Sequence, residues 1–129
     1  MNIKEASKRY GISQDTLRYY ERVGPIPSVT RTAGGKRDYQ EEDLRWVQLA
    51  VCMRKAGLTI ETLTEYARLF RQGDETIPAR LDLLTRQMKE LEERRQDSDQ
   101  AMERLAYKIE HYQQAMITGE LTWDKKENQ

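Results

Sequence analysis

The chain has 129 residues, 34% of them charged and 37% hydrophobic, which suits one small compact domain plus an extended element but not a deep catalytic cleft. Its 22 basic and 22 acidic side chains cancel overall, yet residues 1–37 hold Lys4, Lys8, Arg9, Arg18, Arg22, Arg31, Lys36 and Arg37 against only Glu5, Asp15 and Glu21; a basic end of this kind suits phosphate. A single cysteine excludes an intrachain disulfide framework, and the lack of a signal peptide or long apolar run points to a cytoplasmic chain with no membrane contact.

A short helix is expected over Ile3 to Tyr10, followed by a tight turn at Tyr10-Gly11-Ile12. Ser13 then stands where its hydroxyl can accept from an orphan backbone N–H, and a second helix runs through Thr16, Leu17, Arg18, Tyr19 and Tyr20 to a stop at Gly24. Two helices joined by a glycine turn, the second dense in Arg and Tyr, form a helix-turn-helix over about 3–23. Asp15 in its first turn reads as a helix-dipole residue, and one face of the Tyr19–Tyr20 pair is expected to be at least partly buried.

From Pro25 to Tyr39 the chain is too rich in Pro, Gly, Thr and charge for a helix. Val29-Thr30-Arg31 and Arg37-Asp38-Tyr39 read as two very short strands joined through Ala33-Gly34-Gly35, a wing over about 29–39 that carries Arg31, Lys36 and Arg37. A helix pair follows over about 40–71. The acids Glu41, Glu42 and Asp43 complement the positive end of a third helix that is apolar on most sides, and Thr59 is a good cap for a fourth, from Ile60 to Arg71. Together these make a DNA-binding domain over 1–71, followed by a linker over 72–79.

The C-terminal half has an unbroken alternation of four- and three-residue steps: Ile77, Leu81, Leu84, Met88, Leu91, Arg95, Ser98, Met102, Leu105, Ile109, Tyr112 and Met116. This heptad stripe predicts a coiled-coil dimerisation helix over 80–117, with Arg95 and Ser98 as polar residues that set how two copies meet. The tail, 118–129, is polar apart from Leu121 and Trp123 and is expected to fray or dock loosely. The fold class is therefore mainly α, a winged helix-turn-helix with a very short β wing followed by one long helix. No nucleophile–base pair, paired metal ligands or glycine-rich phosphate loop suggests an enzyme, and neither a cofactor nor a bound metal is expected.

This order of elements, with TLRYYERVG at the second helix and RDYQEEDLRWV after the wing, resembles the MerR family of bacterial transcription regulators over nearly the whole chain. The resemblance implies a homodimer joined by an antiparallel coiled coil. It also implies binding to a pseudo-palindromic operator in double-stranded promoter DNA, and action on RNA polymerase indirectly, by distorting the spacer between two promoter elements. By the same resemblance, Thr16, Arg18, Tyr19 and Tyr20 match recognition-helix contacts, Arg31, Lys36, Arg37 and Tyr39 wing contacts, and Arg54 a later backbone contact. Pro25 departs from the family's usual leucine and stiffens the exit from the recognition helix.

The inducer is narrowed by what the chain lacks. Metal-sensing relatives resemble one another in paired cysteines past the dimerisation helix, whereas this chain has no cysteine after Cys52. Drug-sensing relatives add a ligand-binding domain, which the residues beyond the coiled coil are too few to form. His111, beside Tyr112, reads as a solvated or rim residue. Cys52 remains, near Arg45, Arg54 and Lys55; it reads either as a core-filling thiol or as a reactive one. A similar cysteine and a short C-terminus occur in the NmlR and AdhR branch of the family, which implies sensing of aldehyde or thiol stress. The alternative is a noncovalent effector, or a constitutive repressor in which Cys52 is only structural.

Overall fold

The structure is a computed structural model that describes residues 1–123. Helix α1 spans Ile3–Tyr10 and begins with a reciprocal cap: the Asn2 side chain accepts from the Glu5 N–H at 2.8 Å, and the Glu5 carboxylate accepts from the Asn2 N–H at 3.0 Å. It ends at Gly11, whose φ of 66° lies in the left-handed region. Helix α2, Gln14–Val23, starts as the sequence predicts, with the Ser13 hydroxyl accepting from the Thr16 N–H at 3.0 Å. Ala6 of α1 and Leu17 of α2 are fully buried. At Gly24 φ is 117°, and a Cβ there would stand 3.1 Å from Thr64 Cγ2, so both conformation and close approach to the fourth helix demand glycine.

Helix α3, Glu41–Lys55, is opened by the Gln40 N–H donating to Asp43 Oδ2 at 2.9 Å. Helix α4, Ile60–Gln72, is capped by the Thr59 hydroxyl accepting from the Thr62 N–H at 3.1 Å. Val47, Ala50 and Val51 of α3 and Leu63, Ala67 and Leu69 of α4 are buried, together with Ile26, Val29, Tyr39 and Leu58 from the connections. Trp46 joins the two helices, its ring 5.8 Å from Tyr66 and edge-on to Phe70 at 5.1 Å.

The segment expected as a linker over 72–79 is ordered by bonds of its own. Asp74–Thr76 forms one turn of 3-10 helix, and the buried Thr76 hydroxyl donates to the Leu69 carbonyl at 2.6 Å. Arg80 donates to Thr76 Oγ1 and to the Gly73 carbonyl, and its guanidinium lies 5.3 Å over the Phe70 ring. Helix α5 consequently starts three residues before the expected boundary and runs Ile77–Thr118. Its beginning belongs to the first of two compact units, Met1–Gln87, in which Leu83 is buried. The second unit begins at Met88. Within it the chain past Thr118 docks instead of fraying: Trp123 stacks on Tyr107 and His111, and the Lys108 ammonium sits 4.6 Å over the Trp123 ring. His111 is half-buried there, its Nδ1 2.9 Å from the Tyr107 carbonyl. The rest of the expected tail, 124–129, lies outside the described residues. Among the described residues no helix is long and apolar enough to cross a membrane.

Candidate nucleic-acid interface

Helix α2 has a buried face and a polar one, because its apolar residues recur at helical spacing. Leu17 and Tyr20 turn inward, while Arg18 and Tyr19 are exposed and Thr16 is half-buried. The Thr16 hydroxyl is hydrogen-bonded to Ser13 Oγ at 2.8 Å. Arg18 is held along its own helix, donating to Asp15 Oδ1 at 3.0 Å and to Gln14 Oε1 at 3.4 Å; Asp15 therefore orients a cation besides serving the helix dipole. The Arg22 guanidinium lies 5.5 Å over the Tyr19 ring. Tyr20, expected among the DNA contacts, is a correction: only 6% of it is exposed, because the ring fills the core beneath the helix.

The wing is smaller than two strands. A single antiparallel bridge pairs Arg31 with Arg37, and the turn between them is closed by the Thr32 N–H on the Lys36 carbonyl at 2.8 Å and the Gly35 N–H on the Thr32 carbonyl at 2.9 Å. Gly35 has φ 84°, the left-handed conformation such a turn requires. The ladder stops after one pair because Val29 and Tyr39, the outer residues of the expected strands, are drawn into the core. Arg31 and Lys36 remain exposed on the turn. Tyr39 is a second correction to the expected contacts: it is 2% exposed, its buried hydroxyl has no hydrogen-bond partner among the described residues, and burial pushes its phenol pKa up.

Arg37 is not a free cation. Its Nε donates to Glu21 Oε1 at 2.7 Å, and the same carboxylate accepts from the Val29 N–H at 2.8 Å and lies 3.5 Å from Arg31 Nη2. Glu21 is the residue that sequence reasoning missed. Its side chain is only 10% exposed. Burial opposes its ionisation, but the Val29 N–H, the Arg37 bond and the charges of Arg37 and Arg31 outweigh that cost and hold the carboxyl below its usual pKa. The signal was present as an acid inside a basic stretch, at the end of α2, with two arginines following in the wing.

On α3, Arg54 is exposed and donates through Nη1 to the Leu58 carbonyl at 2.7 Å, closing the turn into α4. Cys52, one turn from the end of the same helix, is exposed, which removes the core-filling reading.

The sequence model of the MerR HTH family regulatory protein matches residues 1–69. The chain belongs to the MerR family. It is 54% identical over 84 residues to the HTH-type transcriptional regulator AdhR of Bacillus subtilis, a match covering 65% of this chain and 60% of the relative's length. It is also 32% identical to an uncharacterised HTH-type transcriptional regulator of Haemophilus influenzae, over 89% of this chain and 85% of the relative. Among solved structures, a MerR family regulator from Listeria monocytogenes shares 46% identity with a TM-score of 0.85, covering 92% of this chain and 90% of that one. HiNmlR, described as a MerR family regulator lacking the sensor domain and bound to promoter DNA, shares 31% identity with a TM-score of 0.87, covering 93% and 95%. The resemblance to the AdhR and NmlR branch thus holds. Relatives at this level are named as transcriptional regulators, and this chain is a DNA-binding transcriptional regulator, not an enzyme.

The geometry around Glu21 predicts a pH dependence. Its pKa is lowered on folding, so its stabilisation is present above the unfolded carboxylate pKa and is lost as pH falls through the lowered folded value. In thermal melts the parent should exceed Glu21→Gln at neutral pH, and the difference should shrink in acid. A pH-independent difference would contradict the ion pairing.

Proposed function

We propose that this MerR-family regulator is a dimeric activator that distorts promoter spacer DNA in response to an electrophile, aldehyde or thiol stress sensed at Cys52. The observation that carries the reading is the exposed Cys52 thiol on α3, in a chain similar to AdhR and to a regulator whose structure is described as lacking a sensor domain. The sulfur adds to an aldehyde carbonyl carbon, and the thiol proton passes to the carbonyl oxygen, giving a hemithioacetal. The adduct enlarges a side chain on the helix that also carries the buried Val47, Ala50 and Val51, and a shift of that helix moves the DNA-reading elements packed on it. RNA polymerase is then affected indirectly, through the altered spacer.

DNA contact is assigned to Thr16, Arg18 and Tyr19 on α2, to Arg31 and Lys36 on the wing and to Arg54 at the end of α3. These are polar side chains at the surface of the basic unit, and the first five lie on the helix and turn that a winged helix-turn-helix presents to the duplex. The partner surface is the stripe of Leu81, Leu84, Met88, Leu91, Met102, Leu105, Ile109, Tyr112 and Met116. All but the half-buried Leu91 are 49% to 87% exposed in the single chain, an apolar face that water disfavours. An antiparallel pair centred between Arg95 and Ser98 sets Leu91 against Met102, Met88 against Leu105, Leu84 against Ile109 and Leu81 against Tyr112. A parallel pair stacks Arg95 on Arg95, which like-charge repulsion disfavours. Each subunit of such a dimer reads one half of a pseudo-palindromic operator.

Three expected outcomes test this. Arg18→Ala should cost about 1–3 kcal/mol of specific binding if the guanidinium reads a base edge, whereas Lys36→Ala should weaken binding to all sequences alike and lower the salt dependence; electrophoretic titrations at several salt concentrations separate the two. Replacing Leu105 and Ile109 with Asp should abolish the dimer and specific DNA binding together, and sedimentation showing an intact dimer would move the interface elsewhere. Cys52→Ser should bind the promoter with affinity close to the parent's yet fail to raise transcription when an aldehyde is added. Normal induction in that variant would remove the thiol from the mechanism and favour a noncovalent effector.

A further inference from the structure

Glu21 is an acid in the last part of the recognition helix, within the strongly basic stretch of residues 1–37. A carboxylate there lowers affinity for any duplex unless it acts on something else. What it acts on is the wing. It accepts from the backbone N–H of Val29 at 2.8 Å, where the chain enters the wing, and from Nε of Arg37 at 2.7 Å, where the chain leaves it. It also lies 3.5 Å from Arg31, the bridge partner of Arg37. With only one bridge pair, the wing has little ladder of its own to define its angle to the helix. Other bonds anchor its base to the start of α3 and to the N-terminus, the Thr30 N–H on Asp43 and the Met1 ammonium on Asp38; one carboxylate, 10% exposed, supplies the ties to α2.

We propose that Glu21 is a positioning residue for DNA recognition, which locks the wing to the recognition helix and holds Arg37 off the phosphates. The two arginines divide accordingly. Arg37, 23% exposed with the short bond, is a structural tie; Arg31, 43% exposed with the long one, exchanges its partner for phosphate. Charge is thereby given up for geometry. Phosphate contacts are sequence-independent, so withholding a cation lowers binding to every duplex, while a fixed angle between helix and wing favours only the duplex whose shape matches both.

The test compares the full-length parent with Glu21→Gln and Arg37→Gln by fluorescence anisotropy. The two probes are a duplex that the parent selects from a random-sequence pool and an unrelated duplex of equal length, each titrated across salt concentrations. Gln keeps the shape and an acceptor for Val29 but releases both guanidiniums. Glu21→Gln should bind the unrelated duplex more tightly, with a log–log salt slope steeper by about one, and should lose about tenfold or more of the preference for the selected duplex. Arg37→Gln leaves the carboxylate on Val29 and should lose preference with no change in slope. A slope that falls by about one in Arg37→Gln would mean that Arg37 already contacts phosphate, which overturns the proposal. So would a Glu21→Gln protein with the parent's slope and preference, or one whose two affinities fall equally, since a role in folding alone leaves the ratio untouched.

Discussion

The burial of one face of α2 is the interaction on which the rest of the DNA-binding unit depends. Leu17 is fully buried and Tyr20 nearly so, and burying two such side chains contributes several kcal/mol on the usual scale, about 1.5–3 kcal/mol for a Leu-sized group alone. With those residues inside, helical periodicity leaves Arg18, Tyr19 and Arg22 outside. The helix is also confined at both ends, by Ser13 at its start and by Gly24 against Thr64 at its finish. Its polar side chains are therefore presented on a rod with little freedom to turn.

Pairing among charges then shapes what that rod and the wing display. Arg18 is drawn along the helix by Asp15 and Gln14, and Arg37 is held by Glu21. The Arg18–Asp15 pair is exposed and contributes little to stability; its effect is to restrict where the guanidinium lies. The Glu21 pair is more buried and also carries a backbone bond, so it acts on structure as well as on charge. A count of lysines and arginines in residues 1–37 overstates the cations available to phosphate.

The joint between the DNA-binding unit and the long helix is built from the same kinds of contact. Thr76 and Arg80 tie the start of α5 to the end of α4, and Arg80 lies on Phe70, which in turn meets Trp46 of α3. A chain of packed and hydrogen-bonded side chains thus runs from the first turn of α5 to the helix that bears Cys52. Physical continuity of this sort can carry coupling between α3 and the start of α5.

Helix positions, caps and the glycine stops were legible in the sequence because they rest on local chemistry. Ser13 and Thr59 cap as their hydroxyls allow, Gly11 and Gly24 take the left-handed conformation, and the four–three stripe from Ile77 to Met116 lies on one continuous helix. Burial was not legible where it depends on residues distant in the chain. Tyr20 and Tyr39 are aromatic residues with a polar tip, equally at home at a surface or in a core, and only the packing around α2 and the wing drew both inside. Cys52 faced the same ambiguity and came out exposed. The Glu21 clamp joins positions eight, ten and sixteen residues apart, a separation at which no periodicity or cap rule applies, so tertiary structure alone decided which arginine of the wing is tied and which is free to exchange.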